Sequence, residues 1–317
     1  MSDIKSQLVK DGTLWRVCPD SELEKTVISF IHESWGTENN GYFPGPQPIS
    51  IERKHFQILK NGEYFVCEKS DGVRNLLVSL MFGDKKLCLL VNRAFNMLLV
   101  SLNLPKVAYT GTILDGELVD DTFLVYDAVK VSGVDLKKSI LVNRLTSAES
   151  VVSGILKMKT DPIVVRLKTF YNLKNFSTFY NEHLPTVKYK IDGLIFTPVN
   201  EPVCTGTQDS MFKWKPRDSN TIDFQAKIWN NEKWGLYVQE KGRLIFESEL
   251  SLAKTPEWIT EDCIVECQYM CDEEPRWWKP VGLRIDKKHP NNRKTFYRTF
   301  VNIRENIQIT EFFKTKS

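Results

Sequence analysis

The sequence predicts an α+β protein in which antiparallel sheets with flanking helices are followed by a small β-barrel. Three observations carry this. Between Glu63 and Val131, apolar runs of strand length recur between polar or Gly/Pro breaks. Helical periodicity falls on either side of them. Beyond Asp218 it fades into short strands separated by turn residues, the profile of a barrel.

A chain of 317 residues has room for two domains or one large one. Lys and Arg (43) against Asp and Glu (40) give a net charge of +3, too mild to announce nucleic acid by itself. No stretch approaches the roughly 18 apolar residues of a membrane span, and Met1-Ser2-Asp3-Ile4-Lys5 lacks the apolar core of a signal peptide. Seven cysteines without the paired spacing of a secreted scaffold fit a reducing compartment. A soluble, intracellular monomer is expected.

Taken in order, Ser21-Glu22-Leu23-Glu24 has the form of a capping box, and Leu23, Val27, Ile28 and Ile31 continue at helical spacing to about Trp35. His32 is expected to be an exposed residue of this helix. Gly36 to Pro48 reads as a loop. Strands are expected at Glu63–Val66, Leu76–Phe82, Leu87–Val91, Met97–Leu102, Ile113–Val119 and Phe123–Val131, then helices at Ile140–Lys157 and Ser177–Leu184, and a strand from Lys188 to Val199. The barrel strands are Phe224–Trp229, Trp234–Gln239, Arg243–Phe246 and Cys263–Cys271, with a terminal helix from Val301 to Phe313.

The chemistry centres on Cys67-Glu68-Lys69-Ser70-Asp71-Gly72-Val73-Arg74, where Asp71-Gly72 reads as a turn between two strands. A lysine nucleophile must lose a proton that it ordinarily holds up to about pH 10.4. A neighbouring cation such as Arg74, or a metal, would help. An ordinary charged hairpin is the plain alternative. In Thr112–Val119, Asp115 and Glu117 share one face of an apolar strand, where two carboxylates need a cation; a turn at Asp115-Gly116 is the alternative. Lys190-Ile191-Asp192-Gly193-Leu194 repeats the pattern of an acid and a glycine before a buried strand. Such hard oxygen ligands suit magnesium carried in by nucleotide phosphates. Met211 to Pro216 sets Lys213 and Lys215 on one face and Phe212 and Trp214 on the other. Arg284-Ile285-Asp286-Lys287-Lys288 gathers cations in a loop. Cys263, Cys267 and Cys271 read as buried structural thiols rather than zinc ligands.

The ordered set resembles the covalent nucleotidyltransferase superfamily, and within it the messenger RNA capping enzymes (RNA guanylyltransferases), most of all the compact stand-alone type of chlorella virus. Pro44-Gly45-Pro46-Gln47-Pro48 to Lys54 is similar to the stretch before that type's nucleophile. The resemblance covers almost the whole chain. It implies a nucleotidyltransferase (ATP-grasp-like, DNA-ligase-like) domain over residues 1–222, an OB-fold over 223–302, and a segment 303–317 packing back on the first domain. It further implies that Lys69 accepts GMP from GTP, with Mg2+ or Mn2+. Arg74 and Arg93 would lie near ribose and phosphates, and Glu117 and Asp192 near ribose or metal. Tyr126 would stack on guanine, where phenylalanine is usual, and Lys168 would hydrogen-bond the base. Lys213 and Lys215 would hold the α-phosphate. Asp223 would mark the join to the OB domain. Arg284, Asp286 and Lys287 would grip the departing pyrophosphate, with closure of the OB domain completing the first step.

The implied acceptor is 5′-diphosphate-ended RNA. Neither an RNA triphosphatase metal motif nor a methyltransferase glycine loop stands out, so a separate RNA triphosphatase, cap methyltransferase or RNA polymerase is the expected partner. The expected location is the nucleus of a cell, or the host nucleus, cytoplasmic replication site or virion of a virus. Two other readings are an ATP-dependent polynucleotide ligase, disfavoured by Asp192 where ligases usually carry glutamate, and a non-catalytic OB-fold RNA-binding module.

Overall fold

A computed structural model describes residues 4–12, 14–39, 41–230, 233–285, 287 and 289–315. Asp286 lies outside them. The chain divides into two compact units, Met1–Ile49 with Gly62–Lys213, and Ser50–Asn61 with Trp214–Ser317. The expected join at 222/223 lies within the second unit, and residues 50–61, which the C-terminal segment meets, belong to the expected first domain. Phe56 of α2 (Phe56–Asn61) meets Phe312 at 5.4 Å between ring centroids, Arg53 pairs with Glu311, and Asn302 Nδ2 donates to the Ile51 carbonyl at 2.5 Å. The C-terminal segment thus closes on residues 50–61.

The first unit is built on two sheets. The larger has nine strands: β1 (Leu8–Asp11), β2 (Leu14–Val17), β5 (Val73–Phe82), β6 (Lys85–Asn92), β7 (Met97–Leu99), β8 (Thr112–Val119), β9 (Thr122–Val131), β10 (Val134–Asp135) and β11 (Val164–Leu167). Among the described residues β11 alone in this sheet runs parallel to its neighbour, β9. The smaller sheet holds β3 (Gln47–Ser50), β4 (Tyr64–Ser70), β12 (Tyr171–Asn172), β13 (Ile191–Pro198) and β14 (Thr207–Trp214), in the order β12-β4-β13-β14-β3.

The unbroken apolar run Leu76-Leu77-Val78 follows from burial on both faces of the large sheet. Leu76 and Val78 point to α1 (Glu22–Trp35), with Leu23, Val27 and Ile31. Leu77 points the other way, to Ala148, Val151 and Val152 of α3 (Leu141–Ser153). The Ser21 side chain caps α1 at Glu24 N, while the Glu24 side chain reaches Asp20 N. His32 is buried rather than exposed: its ring lies 5.7 Å from that of Phe95 and its Nδ1 is 2.9 Å from Thr37 Oγ1. The predicted helix at Ser177–Leu184 is instead a mixed helical stretch, beginning with α4 (Phe176–Thr178) and passing through a π-turn, Phe179–His183.

In the second unit β15 (Thr221–Asn230), β16 (Lys233–Glu240), β17 (Arg243–Ser251), β18 (Ile264–Met270) and β19 (Trp277–Leu283) form an antiparallel sheet ordered β17-β16-β15-β18-β19. Its end strands β17 and β19 approach one another, curling the sheet towards an OB-fold barrel. α5 (Arg293–Glu305) lays Phe296 against Phe224 and Trp278. β19 escapes the sequence reading because Pro280 sits inside it. α5 starts earlier than Val301 because its first turn is polar. Of the three barrel cysteines only Cys267 is fully buried; Cys263 and Cys271 are half-buried. No helix among the described residues is long and apolar enough to cross a membrane.

Candidate active site

Lys69 is the penultimate residue of β4, in the smaller sheet, whereas Arg74 lies on β5, in the larger one. Asp71-Gly72 is therefore a joint between sheets, not a hairpin turn. A Cβ on Gly72 would stand 2.4 Å from the Leu118 carbonyl oxygen, so the glycine is required by close approach of backbone. Asp71 fixes the joint: its N–H donates to the Lys190 carbonyl at 2.9 Å and its carboxylate pairs with Lys190 Nζ at 2.6 Å.

The Lys69 ammonium donates to Asp192 Oδ1 at 2.8 Å. Along the β4–β13 ladder Ile191 faces Ser70 and Gly193 faces Lys69, which leaves Asp192 as the extra residue of a bulge. A bulge re-aims a side chain that the pleat would send elsewhere, and here it brings the Asp192 carboxylate to Lys69. Glu117, on β8, is half-buried. Burial raises its pKa, against the pull of the Lys69, Lys168 and Arg74 cations.

Arg74 is not the loose cation expected beside the nucleophile. Its Nε donates to Asp115 Oδ1 at 3.0 Å, its Nη2 to Asp115 Oδ2 at 2.5 Å, and its Nη1 to the Pro46 carbonyl at 2.7 Å. Asp115, fully buried, stands out in the sequence only as the neighbour of Glu117. Burial works against the Arg74 charge, but Asp115 outweighs it and the pKa rises. Asp115-Gly116 is mid-strand, which removes the turn reading. There a second bulge pairs Asp115 with Asp127 and Gly116 with Val125, leaving Tyr126 as the extra residue. The Tyr126 hydroxyl donates to Asp115 Oδ1 at 2.8 Å. A Cβ on Gly116 would fall 2.6 Å from the Phe123 ring, so this bulge too depends on glycine. Arg93 is exposed in the turn after β6.

Sequence reasoning misses the residue before the nucleophile as a functional group. Glu68 is fully buried and its carboxylate gathers Lys168 Nζ (3.1 Å), the Tyr189 hydroxyl (2.5 Å) and His183 Nε2 (3.2 Å). Burial would push its pKa up, but Lys168 and the Tyr189 hydrogen bond hold it below the usual carboxylate value. Lys168 also donates to the Glu68 carbonyl at 2.5 Å and to Ser70 Oγ at 3.2 Å. The signal that could have found it is a glutamate in an otherwise apolar strand.

Lys213 and Lys215 are half-buried at the end of β14 and just beyond it, with Phe212 and Trp214 buried on the opposite face. In the second unit the Asp223 carboxylate receives Arg284 Nη1 at 3.1 Å, Lys287 Nζ, and Asn291 Nδ2 at 3.3 Å. Asp223 thus holds the basic loop in place. Among the described residues no three His, Cys, Asp or Glu side chains form a metal cluster. Glu117 and Asp192 are hard oxygen donors that fit a magnesium ion completing its shell with water and substrate phosphate.

The model of the mRNA capping enzyme catalytic domain matches residues 15–217, and that of the mRNA capping enzyme C-terminal domain matches residues 219–313. The chain is 28% identical to an mRNA-capping enzyme subunit alpha of Schizosaccharomyces pombe, over 86% of this chain and 79% of that one. It is 31% identical to the Neurospora crassa protein of the same name (85% and 83%) and 27% identical to an mRNA-capping enzyme of Caenorhabditis elegans (92% and 51%). The chain spans about half the length of the Caenorhabditis elegans relative. Among solved structures, a mycobacterial DNA ligase D complexed with ATP and MES matches at 13% identity with a TM-score of 0.44, covering 79% of this chain and 97% of that one.

Proposed function

The chain belongs to the mRNA capping enzyme family, and on that premise we propose that it is an RNA guanylyltransferase working through Lys69. The Lys69 ammonium first releases one proton to solvent; its Nζ then attacks the α-phosphorus of GTP, the bond from that phosphorus to the oxygen bridging to the β-phosphate breaks, pyrophosphate leaves, and the nitrogen sheds a second proton to solvent. The product is a Lys69–GMP phosphoramidate. The terminal β-phosphate oxygen of 5′-diphosphate-ended RNA then attacks the same phosphorus, the P–N bond breaks, the lysine regains a proton, and GpppRNA departs.

The observation that carries this reading is the Lys69–Asp192 contact at the bulge, with Glu117 and Lys168 gathered around it. Asp192 holds the Lys69 ammonium at the strand end. Tyr126 and Lys168 are proposed to receive the guanine, and Arg93 the ribose or phosphates. Lys213 and Lys215 are proposed to neutralise charge on the phosphoryl oxygens, the main barrier to such transfers. Arg284 and Lys287 would exchange Asp223 for pyrophosphate oxygens. Glu117 and Asp192 would hold a Mg2+ or Mn2+ ion, which supplies further charge neutralisation when bound. The 5′-diphosphate acceptor requires a triphosphatase reaction upstream, and the setting is wherever nascent transcripts meet GTP inside a cell.

Incubation with α-labelled GTP and, in parallel, α-labelled ATP tests the reading. Label from GTP that survives denaturation, is lost in Lys69→Ala and is discharged by pyrophosphate is expected. Label from ATP alone would transfer the chain to the ligases.

A further inference from the structure

We infer that a cleft in the second unit is a subsite for the body of a single-stranded RNA, taking its phosphodiester backbone on arginines and a base on an aromatic wall. This rests on the guanylyltransferase reading, which supplies the RNA. The cleft, of about 520 Å³, is lined by Arg217, Arg276, Arg304, Tyr269, Phe300 and Asp272. These residues come from the segment entering β15, the end of β18, the β18–β19 turn and the last turn of α5. The turn joins the fourth and fifth strands of the barrel, a loop that OB-folds use for oligonucleotides.

The chemistry suits phosphodiesters. Arg217 is fixed by Asp272, with Nη2 at 2.5 Å from Oδ2, and by Asp218 at 3.4 Å, so one planar guanidinium is preset. Arg276 and Arg304 are exposed, and Arg276 meets Glu274 at 3.6 Å. Surface ion pairs of this kind are worth little and exchange readily for phosphate, and the guanidinium fork matches phosphate oxygens. Tyr269 and Phe300 meet edge to face at 5.2 Å and are half-buried, leaving ring surface along the cleft. Aromatic faces beside spaced cations are how proteins hold single strands without reading sequence. A phosphorylated peptide would use the arginines but leave the rings idle.

The test is direct binding of a labelled 20-nucleotide RNA bearing a 5′ diphosphate to the full chain, followed by fluorescence anisotropy over a salt series. The Arg276→Ala/Arg304→Ala variant removes two exposed cations. Its affinity is expected to fall about fivefold or more, and its slope of log K against log salt to shrink by about 1.4, roughly 0.7 for each phosphate no longer neutralised. Arg276→Lys/Arg304→Lys should restore the slope. Lys69–GMP formation, which needs no RNA, should stay at the wild-type rate. Unchanged affinity and slope in the alanine variant, or equal competition by a phosphoserine peptide, would overturn the subsite. Absence of Lys69–GMP in the wild type would instead overturn the enzymatic reading, and the binding result would still decide this one.

Discussion

The Asp192 carboxylate meets the Lys69 ammonium at 2.8 Å where the register of the β4–β13 ladder shifts between Ile191 and Gly193. Asp192→Asn keeps the shape of the bulge and removes the charge. The rate of Lys69–GMP formation is expected to fall by about 10²-fold, a loss typical of removing one preorganised electrostatic partner. The thermal midpoint should stay near that of the wild type. A rate within threefold of wild type would count against the assignment of Asp192.

Arg74 and Asp115 form a buried, bidentate pair that also carries Tyr126. Removing either partner leaves a charge without its counterion. Arg74→Ala or Asp115→Ala should destabilise the first unit by about 3–5 kcal/mol, read by urea unfolding. Arg74→Lys should not rescue it, since an ammonium cannot reproduce the fork.

Glu68 makes acid stability measurable. Its folded carboxyl lies below its ordinary value, while in the unfolded chain it returns to about 4.3. The folded state therefore holds the proton less tightly. The stabilisation is complete above about pH 4.3 and drains away as pH falls through the lower folded value. Glu68→Gln should flatten the fall of melting temperature on the acid side. An acid limb as steep as that of the wild type would contradict the role given to this carboxylate.

Chelation gives a fourth test. EDTA should abolish Lys69–GMP formation, and Mg2+ or Mn2+ should restore it. The melting temperature without nucleotide should not move, because two carboxylates alone make a weak site. Glu117→Gln should raise the metal concentration needed for half-maximal labelling.

Much of this is legible in the sequence because the signals are local. Continuous apolar runs mark strands covered on both sides, Ser21 marks a helix start, and the lysine, acid and glycine motifs mark the site. What stays hidden depends on partners distant in sequence. Nothing local tells that Asp71-Gly72 links two sheets, that Arg74 is neutralised 41 positions later by Asp115, or that His183 and Tyr189 close on Glu68. The bulges at Tyr126 and Asp192 are equally unreadable, since a one-residue offset emerges only when two strands are laid side by side. The segment 50–61 reads as part of the first domain, and contacts distant in sequence group it with the second unit: Phe56 on Phe312, Arg53 with Glu311 and Asn302 with Ile51.

The joint at Asp71-Gly72 works as a gauge. β4 ends at Ser70 and β5 begins at Val73, so the chain itself sets how far the Lys69 nitrogen stands from the buried Arg74–Asp115 pair on the other sheet. One inserted residue would leave every strand able to form, yet it would break the Gly72 approach to Leu118 and put Lys69 out of step with Glu117. A short, uninterrupted spelling of the motif is thus a dimensional tolerance, written into the polymer because two separately built sheets must hold Lys69 and the Arg74–Asp115 pair at one fixed spacing.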